Sequence, residues 1–170
     1  MSWTGFHTDF KDLIVIDNSN ADSAPDNAGN VVSKGFELSS TYAPEDFLPF
    51  RGDISFFANY TFTNANLDGA ASSTDSETAF AGGRDGSNVP YIPDHRLSFG
   101  ADYEYNDFDF GVNMTYHSES HGTADESETE VFNGSADARN GKIDDAFLLN
   151  FYAGYDFMEN YRISAGVNNA

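Results

Sequence analysis

Few side chains in this sequence have the type and spacing to bind or transform anything, and most of those fall in one stretch. His117, Glu119 and His121 make an alternating run. In a strand, positions four apart share a face, which would bring two imidazoles together as a metal site requires. His117 ends a strand-like run and His121 lies beyond it, so a solvated loop is expected and no metal is assigned. Asp125, Glu126, Glu128 and Glu130 follow, without the ligand spacing or the glycine of a calcium loop. A solvated acidic run is expected there too. Arg84, Arg139 and Lys142 are the basic residues of the two longest polar stretches. A guanidinium presents a planar fork that suits carboxylates, so these three are the candidate ligand-binding residues. The alternative is that they balance Asp85, Asp137, Asp144 and Asp145 nearby. His7 and His95 stand alone and are read as structural. No nucleophile triad, phosphate loop or dinucleotide fingerprint occurs, so no enzymatic activity, catalytic residue or cofactor is expected.

Composition narrows the partners. The 170 residues carry 8 Lys and Arg against 28 Asp and Glu, a formal charge of −20. Such a chain repels phosphate backbones, and nucleic-acid binding is excluded on that ground. The acids are spread over several segments, which favours a generally acidic, salt-adapted surface over cation or metal-complex binding in loops. Cysteine is absent, so disulfides and thiolate sites are excluded. No secretory signal is visible, because Met1-Ser2-Trp3 leads straight into a strand-like segment. No apolar run is long enough for a transmembrane helix.

The elements that must position these residues are strands. From Phe50 to Thr63, one face reads Phe50, Gly52, Ile54, Phe56, Ala58, Tyr60, Phe62 and the other Arg51, Asp53, Ser55, Phe57, Asn59, Thr61, Thr63. Only Phe57 breaks the alternation, and a helical period would scramble both faces. The runs 96–105, 108–117, 147–157 and 161–168 repeat the pattern, with Leu148 and Tyr152 as exceptions. Phe36, Leu38 and Tyr42 alternate with Glu37, Ser39 and Thr41, and 3–17 is strand-like with Phe6, Phe10, Ile14 and Ile16 in phase. The expectation is about seven antiparallel strands in a meander.

Their connections alternate in length. Short turns are expected at Pro44–Pro49, Tyr105–Phe108 and Met158–Asn160, and long polar loops at 18–30, 68–93 and 118–145. Transmembrane barrels of outer membranes show this asymmetry. Aromatics gather at the short turns: Tyr42, Phe47 and Phe50, then Tyr103, Tyr105, Phe108 and Phe110, then Tyr155, Phe157 and Tyr161. This is the placement of an interfacial girdle. Asp53, Asn59, Asp102, Glu104 and Asn113 on the other face need a wet lumen. Gly100, Gly111, Gly154 and Gly166 on that face would leave room inside it.

Several stretches resemble the C-terminal barrel region of TonB-dependent outer-membrane receptors. They are Phe6-His7-Thr8-Asp9-Phe10-Lys11-Asp12-Leu13-Ile14, Gly35-Phe36-Glu37-Leu38, Ala58-Asn59-Tyr60-Thr61-Phe62-Thr63-Asn64-Ala65, Val89-Pro90-Tyr91-Ile92-Pro93-Asp94-His95 and Ala165-Gly166-Val167-Asn168-Asn169. They stand in the family's order across nearly the whole chain. In the third loop Thr129-Glu130, Ala136-Asp137 and Gly141-Lys142-Ile143 resemble ferric-dicitrate-type receptors, with Asp144 where that subgroup has proline and an insertion around Phe132–Gly134.

The resemblance implies an all-β segment, residues 1–170, of a barrel of about 22 strands, lacking the family's plug and final strand. It implies residence in the cell outer membrane, contact with outer-membrane lipid, and uptake of a ferric chelate, a siderophore or ferric citrate. It also implies coupling to the TonB complex through the plug. Arg84, Arg139 and Lys142 would then meet an anionic chelate. Two other readings are carried: a small non-transporting outer-membrane barrel or adhesion protein, and a soluble acidic β-sandwich that binds carbohydrate. The first needs a closed, even set of strands, and the second short strands with long loops at both ends.

Overall fold

A computed structural model describes residues 1–15, 26–44, 52–71, 79–132, 135–136, 140–158 and 160–169. Its strands are β1 (Ser2–Val15), β2 (Asp26–Tyr42), β3 (Asp53–Asp68), β4 (His95–Tyr105) and β5 (Phe108–His117). Four two-residue strands follow: β6 (Ser120–His121), β7 (Val131–Phe132), β8 (Ser135–Ala136) and β9 (Lys142–Ile143). β10 (Ala146–Phe157) and β11 (Tyr161–Val167) close the order. The seven long strands form one antiparallel sheet in the order β1-β2-β3-β4-β5-β10-β11, while β6 pairs with β9 and β7 with β8. The sheet is open, and no second sheet packs against its faces among the described residues.

Register keeps the two faces apart across the sheet. Tyr60 opposes Leu97, Phe99 opposes Met114 and Ala101 opposes Val112, so Tyr60, Phe99 and Val112 share the apolar face. Asn59 opposes Ser98, Asp102 opposes Gly111 and Gly100 opposes Asn113 on the other. A one-residue slip anywhere would reverse this. The two-residue turn after Tyr105 holds the β4–β5 register, and Asn106 in it takes a φ of 50°, a value asparagine tolerates better than most residues.

The apolar face ends in aromatic rings at both margins. At the short-turn end Phe108 stacks on Tyr155 at 4.3 Å, and Phe157 lies between Tyr155 and Tyr161 at 6.1 and 5.6 Å. The expected first turn at Pro44–Pro49, with Phe47 and Phe50, lies outside the described residues apart from Pro44. At the other margin Phe36 packs on Tyr60 and Phe62 at 5.7 and 5.8 Å, and His95 on Phe62 at 5.3 Å. Tyr116 and Phe147 face each other in register on the same side. From Tyr105 to His95 the strand covers roughly 33 Å, or about 25 Å when tilted by ~40°, the height of a lipid-facing band. Between the girdles, Phe99, Phe110, Ile163 and Val167 are exposed on the apolar face.

Four expectations change. First, Phe6, Phe10 and Ile14 do not share a face. Phe6 and Phe10 oppose Gly35 and Val31 on the polar side, then a bulge between Phe10 and Leu13 turns Ile14 to the apolar side. Asp12 takes a φ of 53° within it, and the extra residue breaks the period of two. Second, β2 begins at Asp26, so the expected loop 18–30 is shorter. Asn27 to Gly35 is poor in strand formers, but β1 pairs along it and β3 joins from Asn30 onward, and that outweighs weak propensity. Third, the polar-face glycines leave little free room. Phe57 lies against Gly100, Tyr152 against Gly111, Phe6 against Gly35, and the Arg162–Asp109 pair against Gly154. Gly166 opposes Tyr152 from the other side. Phe57 and Tyr152, which break the alternation, are the rings that cover Gly100 and Gly111.

Fourth, the polar face is not wet throughout. At the long-loop end Ala28, Val31, Leu67, Phe80 and Ala124 form a buried cluster, with Leu13, Val15 and Val89 against it. Two loops fold over the wall to make it. Leu67 N–H donates to Ser87 O at 2.9 Å and Val89 N–H to Ala65 O at 2.9 Å, so the second loop returns along β3. Ala124 N–H donates to Ala79 O at 2.8 Å, tying the third loop to the second. Asn88 N–H adds a bond to Glu126 Oε1 at 2.9 Å. The acidic run is therefore not simply solvated.

Candidate ligand-binding site

The three basic residues picked out by sequence are not gathered into one site. Arg84 stands exposed in a tight turn, where its N–H donates to Ser87 Oγ and its carbonyl accepts from Ser87 N–H, both at 3.0 Å. Lys142 is on β9, and its Nζ lies 2.5 Å from Glu119 Oε2. That contact holds the Glu119 carboxyl below its usual range and raises the Lys142 ammonium above its own. Lys142 is thus already committed to a carboxylate. Arg139 lies outside the described residues.

The histidines separate as well. His117 Nδ1 is 3.2 Å from Ser118 O. His121 sits in the β6–β9 ladder, with only 16% of its side chain exposed and Nε2 3.7 Å from Glu128 Oε1. The expected solvated loop is corrected to a part-buried two-strand ladder. No group of three or more His, Asp or Glu positioned to hold a metal occurs among the described residues. His95 accepts or donates at Nδ1 with Tyr60 Oη at 2.8 Å, within the upper girdle. His7 Nε2 lies 2.9 Å from Asp9 Oδ1 at an exposed position.

What the fold does assemble is a cavity of about 340 Å³ at the long-loop end of the wall. Arg96 and His117 oppose each other across β4 and β5, with Thr115 two residues along on the same polar face. Tyr91 and Pro93 come from the second loop and Ile143 from β9. Tyr91 N–H donates to His121 O at 2.9 Å, which fixes the loop over the strands. Arg96 was legible only as one polar position in an alternating run. Nothing in its local sequence says that His117 and Tyr91 meet it, because register and loop return decide that.

A second polar cluster lies at the short-turn end. Arg162 pairs with Asp109, and with Asp156 at 2.7 Å. Tyr152 Oη donates to Asp102, reaching across β5 to β4. These contacts stitch four strands together on the polar face. A larger hollow, about 850 Å³, opens beside Tyr155, Phe157 and Tyr161 at the edge strand β11. Asp107, Asp156, Asn160 and Arg162 line it together with the girdle rings, and Arg162 is already paired with Asp156 there.

The profile of the TonB-dependent receptor-like β-barrel family matches residues 2–170. Among solved structures, the unliganded ferric citrate transporter FecA is similar at 22% identity with a TM-score of 0.63, over 82% of this chain and 19% of that one. The ferric-catecholate import receptor Fiu from E. coli K12 is similar at 19% identity with a TM-score of 0.62, over 98% of this chain and 20% of that one. The copper transporter OprC is similar at 17% identity with a TM-score of 0.61, over 98% and 22%. The chain spans about a fifth of the length of these proteins.

Proposed function

The chain belongs to the TonB-dependent receptor β-barrel family, and from that premise we propose that it forms one stretch of wall in an outer-membrane receptor for metal chelates, ferric chelates first among them. The observation that carries this reading is the two-faced sheet. Its apolar side is bounded by aromatic girdles about a lipid thickness apart, and its other side is polar and partly roofed by long loops. A water-soluble sandwich would bury the apolar side instead.

In this reading residues 1–170 are part of a larger barrel domain. The apolar side meets outer-membrane lipid, and the polar side faces the lumen. The plug, and through it the TonB complex, belong to the rest of the receptor. The ferric-dicitrate-type loop sequence around Gly141-Lys142-Ile143 favours a ferric carboxylate as ligand. Exposed Arg84, together with Arg139, would meet an anionic chelate at the loops, while Lys142 acts through Glu119.

The test is uptake. Iron-starved cells that depend on the complete receptor are given ferric citrate, a ferric catecholate or copper. Energy-dependent accumulation of a ferric chelate is expected. Accumulation of copper alone would move the ligand to another metal, and accumulation of none of them would overturn the transport reading.

A further inference from the structure

Arg96 is a cation on the polar wall that no described carboxylate neutralises. The chain has 28 acids to 8 Lys and Arg, and both Lys142 and Arg162 are held by acids. Arg96, like Lys11, Lys34 and Arg84, makes no ion pair among the described residues, and of these four it is the one that lines the cavity. A guanidinium with no described carboxylate partner, lining a cavity of about 340 Å³, is suited to an anion from outside the chain.

Three further features point to the same place. His117 opposes Arg96 in register. Its Nδ1 is engaged with Ser118 O at 3.2 Å, which leaves Nε2 for a ligand oxygen. Tyr91 holds a φ of 63° with 55% of its surface exposed. For a bulky residue that backbone is strained, and such strain persists only where the surroundings impose it, often at ligand clamps. Finally, Glu119 neighbours Ser120 in the cavity lining and would repel an anion. Lys142 pairs with it at 2.5 Å, with Glu128 and Asp144 also near that ammonium.

We propose that Arg96, His117 and Tyr91 form a subsite on the barrel wall that takes the carboxylate of an anionic ferric chelate. The carboxylate pairs with the guanidinium, and the Tyr91 ring and Ile143 cover the carbon surface beside it. This rests on the transport reading above and names the part of the ligand that the wall recognises.

The test measures ferric citrate binding to the complete receptor in outer-membrane preparations, with barrel assembly followed by heat-modifiable mobility. Arg96→Gln should raise Kd about tenfold or more, the scale of one charge-assisted contact. Lys34→Gln, which removes a charge from the lipid-side face, should leave Kd unchanged. Tyr91→Gly should also weaken binding while assembling normally, because glycine accepts that φ without strain. It decides the matter if Arg96→Gln does not reach the membrane. Wild-type binding with an unchanged Kd in Arg96→Gln would overturn the subsite and leave the transport reading standing. A wild-type receptor that binds a ferric catecholate but not ferric citrate would overturn the carboxylate assignment. No binding of either chelate would overturn the subsite along with the reading it rests on.

Discussion

At Gly35 the neighbouring strand leaves no space for a side chain. A Cβ there would collide with the Phe62 carbonyl oxygen, a backbone atom fixed in the β2–β3 ladder, and with the Phe6 ring. Gly35→Ala in the complete receptor should therefore cost more than about 3 kcal/mol, beyond ordinary overpacking, and largely prevent assembly. Gly69 makes the opposite case. Its φ is +100° but nothing lies within 4 Å of where a methyl would sit, so Gly69→Ala should cost about 1–2 kcal/mol of backbone strain alone. Comparable losses of heat-modifiable barrel in both variants would contradict this.

The Glu119–Lys142 pair gives a pH dependence at the same scale. The Glu119 carboxyl is depressed from 4.5, so its contribution is present above that pH and is lost as pH falls through the lowered value. The Lys142 ammonium is raised from 10.5, so its contribution is present below that pH and is lost as pH rises through the raised value. Amide exchange in the β6–β9 ladder should be slowest between these limits and speed up at both extremes. The pair is exposed and the effect local, so the barrel itself should not melt with it. A ladder whose exchange, corrected for intrinsic rates, is flat through both limits would refute this.

Among elements, the strands show the strongest agreement between pattern and structure. β3, β4, β5, β10 and β11 fall close to where alternation puts them, and their pairing keeps Tyr60, Phe99 and Val112 together on one face. Val112→Arg should cost about 2–4 kcal/mol near the bilayer midplane, whereas Asn113→Arg, one residue on, should be far milder. Assembly yields of the two variants in the outer membrane check this, and equal sensitivity would mean that both faces are buried. β1 is the less regular element. Its bulge is invisible to a period-of-two reading, which assigns Ile14 to the side of Phe6 and Phe10.

For the whole molecule, hydrogen-bond accounting sets the limits. β1 and β11 each have one neighbour in the sheet. Every residue of β11 is exposed, including Tyr161, Ile163 and Val167. In lipid each backbone group without a partner costs several kcal/mol. In water the apolar face and the two edges invite association. The 170-residue chain expressed alone should aggregate without detergent and transport nothing, despite its charge. Sedimentation after detergent-free purification tests this, and a monodisperse monomer with a cooperative melt would falsify it.

The amino-acid sequence by itself determined the class of structure. Alternation is a local property with a period of two, so Phe50–Thr63 or Phe108–His117 carries its two faces without reference to any other segment. Turn and loop lengths are equally local, and with the ordered family motifs they were enough for an antiparallel meander of the TonB-dependent receptor barrel family. Tertiary structure alone decided what meets across strands and loops. The upper girdle needs the register that sets Tyr116 beside Phe147. The cover on Gly100 and Gly111 needs Phe57 and Tyr152 from neighbouring strands. The cavity needs the second loop to return over β4 and β5, so that Tyr91 joins Arg96 and His117. By sequence the acids nearest Lys142 were Asp144 and Asp145, but in the fold it is bound to Glu119. The physical reason is the same each time: a face is written in neighbouring residues, but a site is made by residues far apart in the chain, and their meeting depends on pairing energies that no single segment contains.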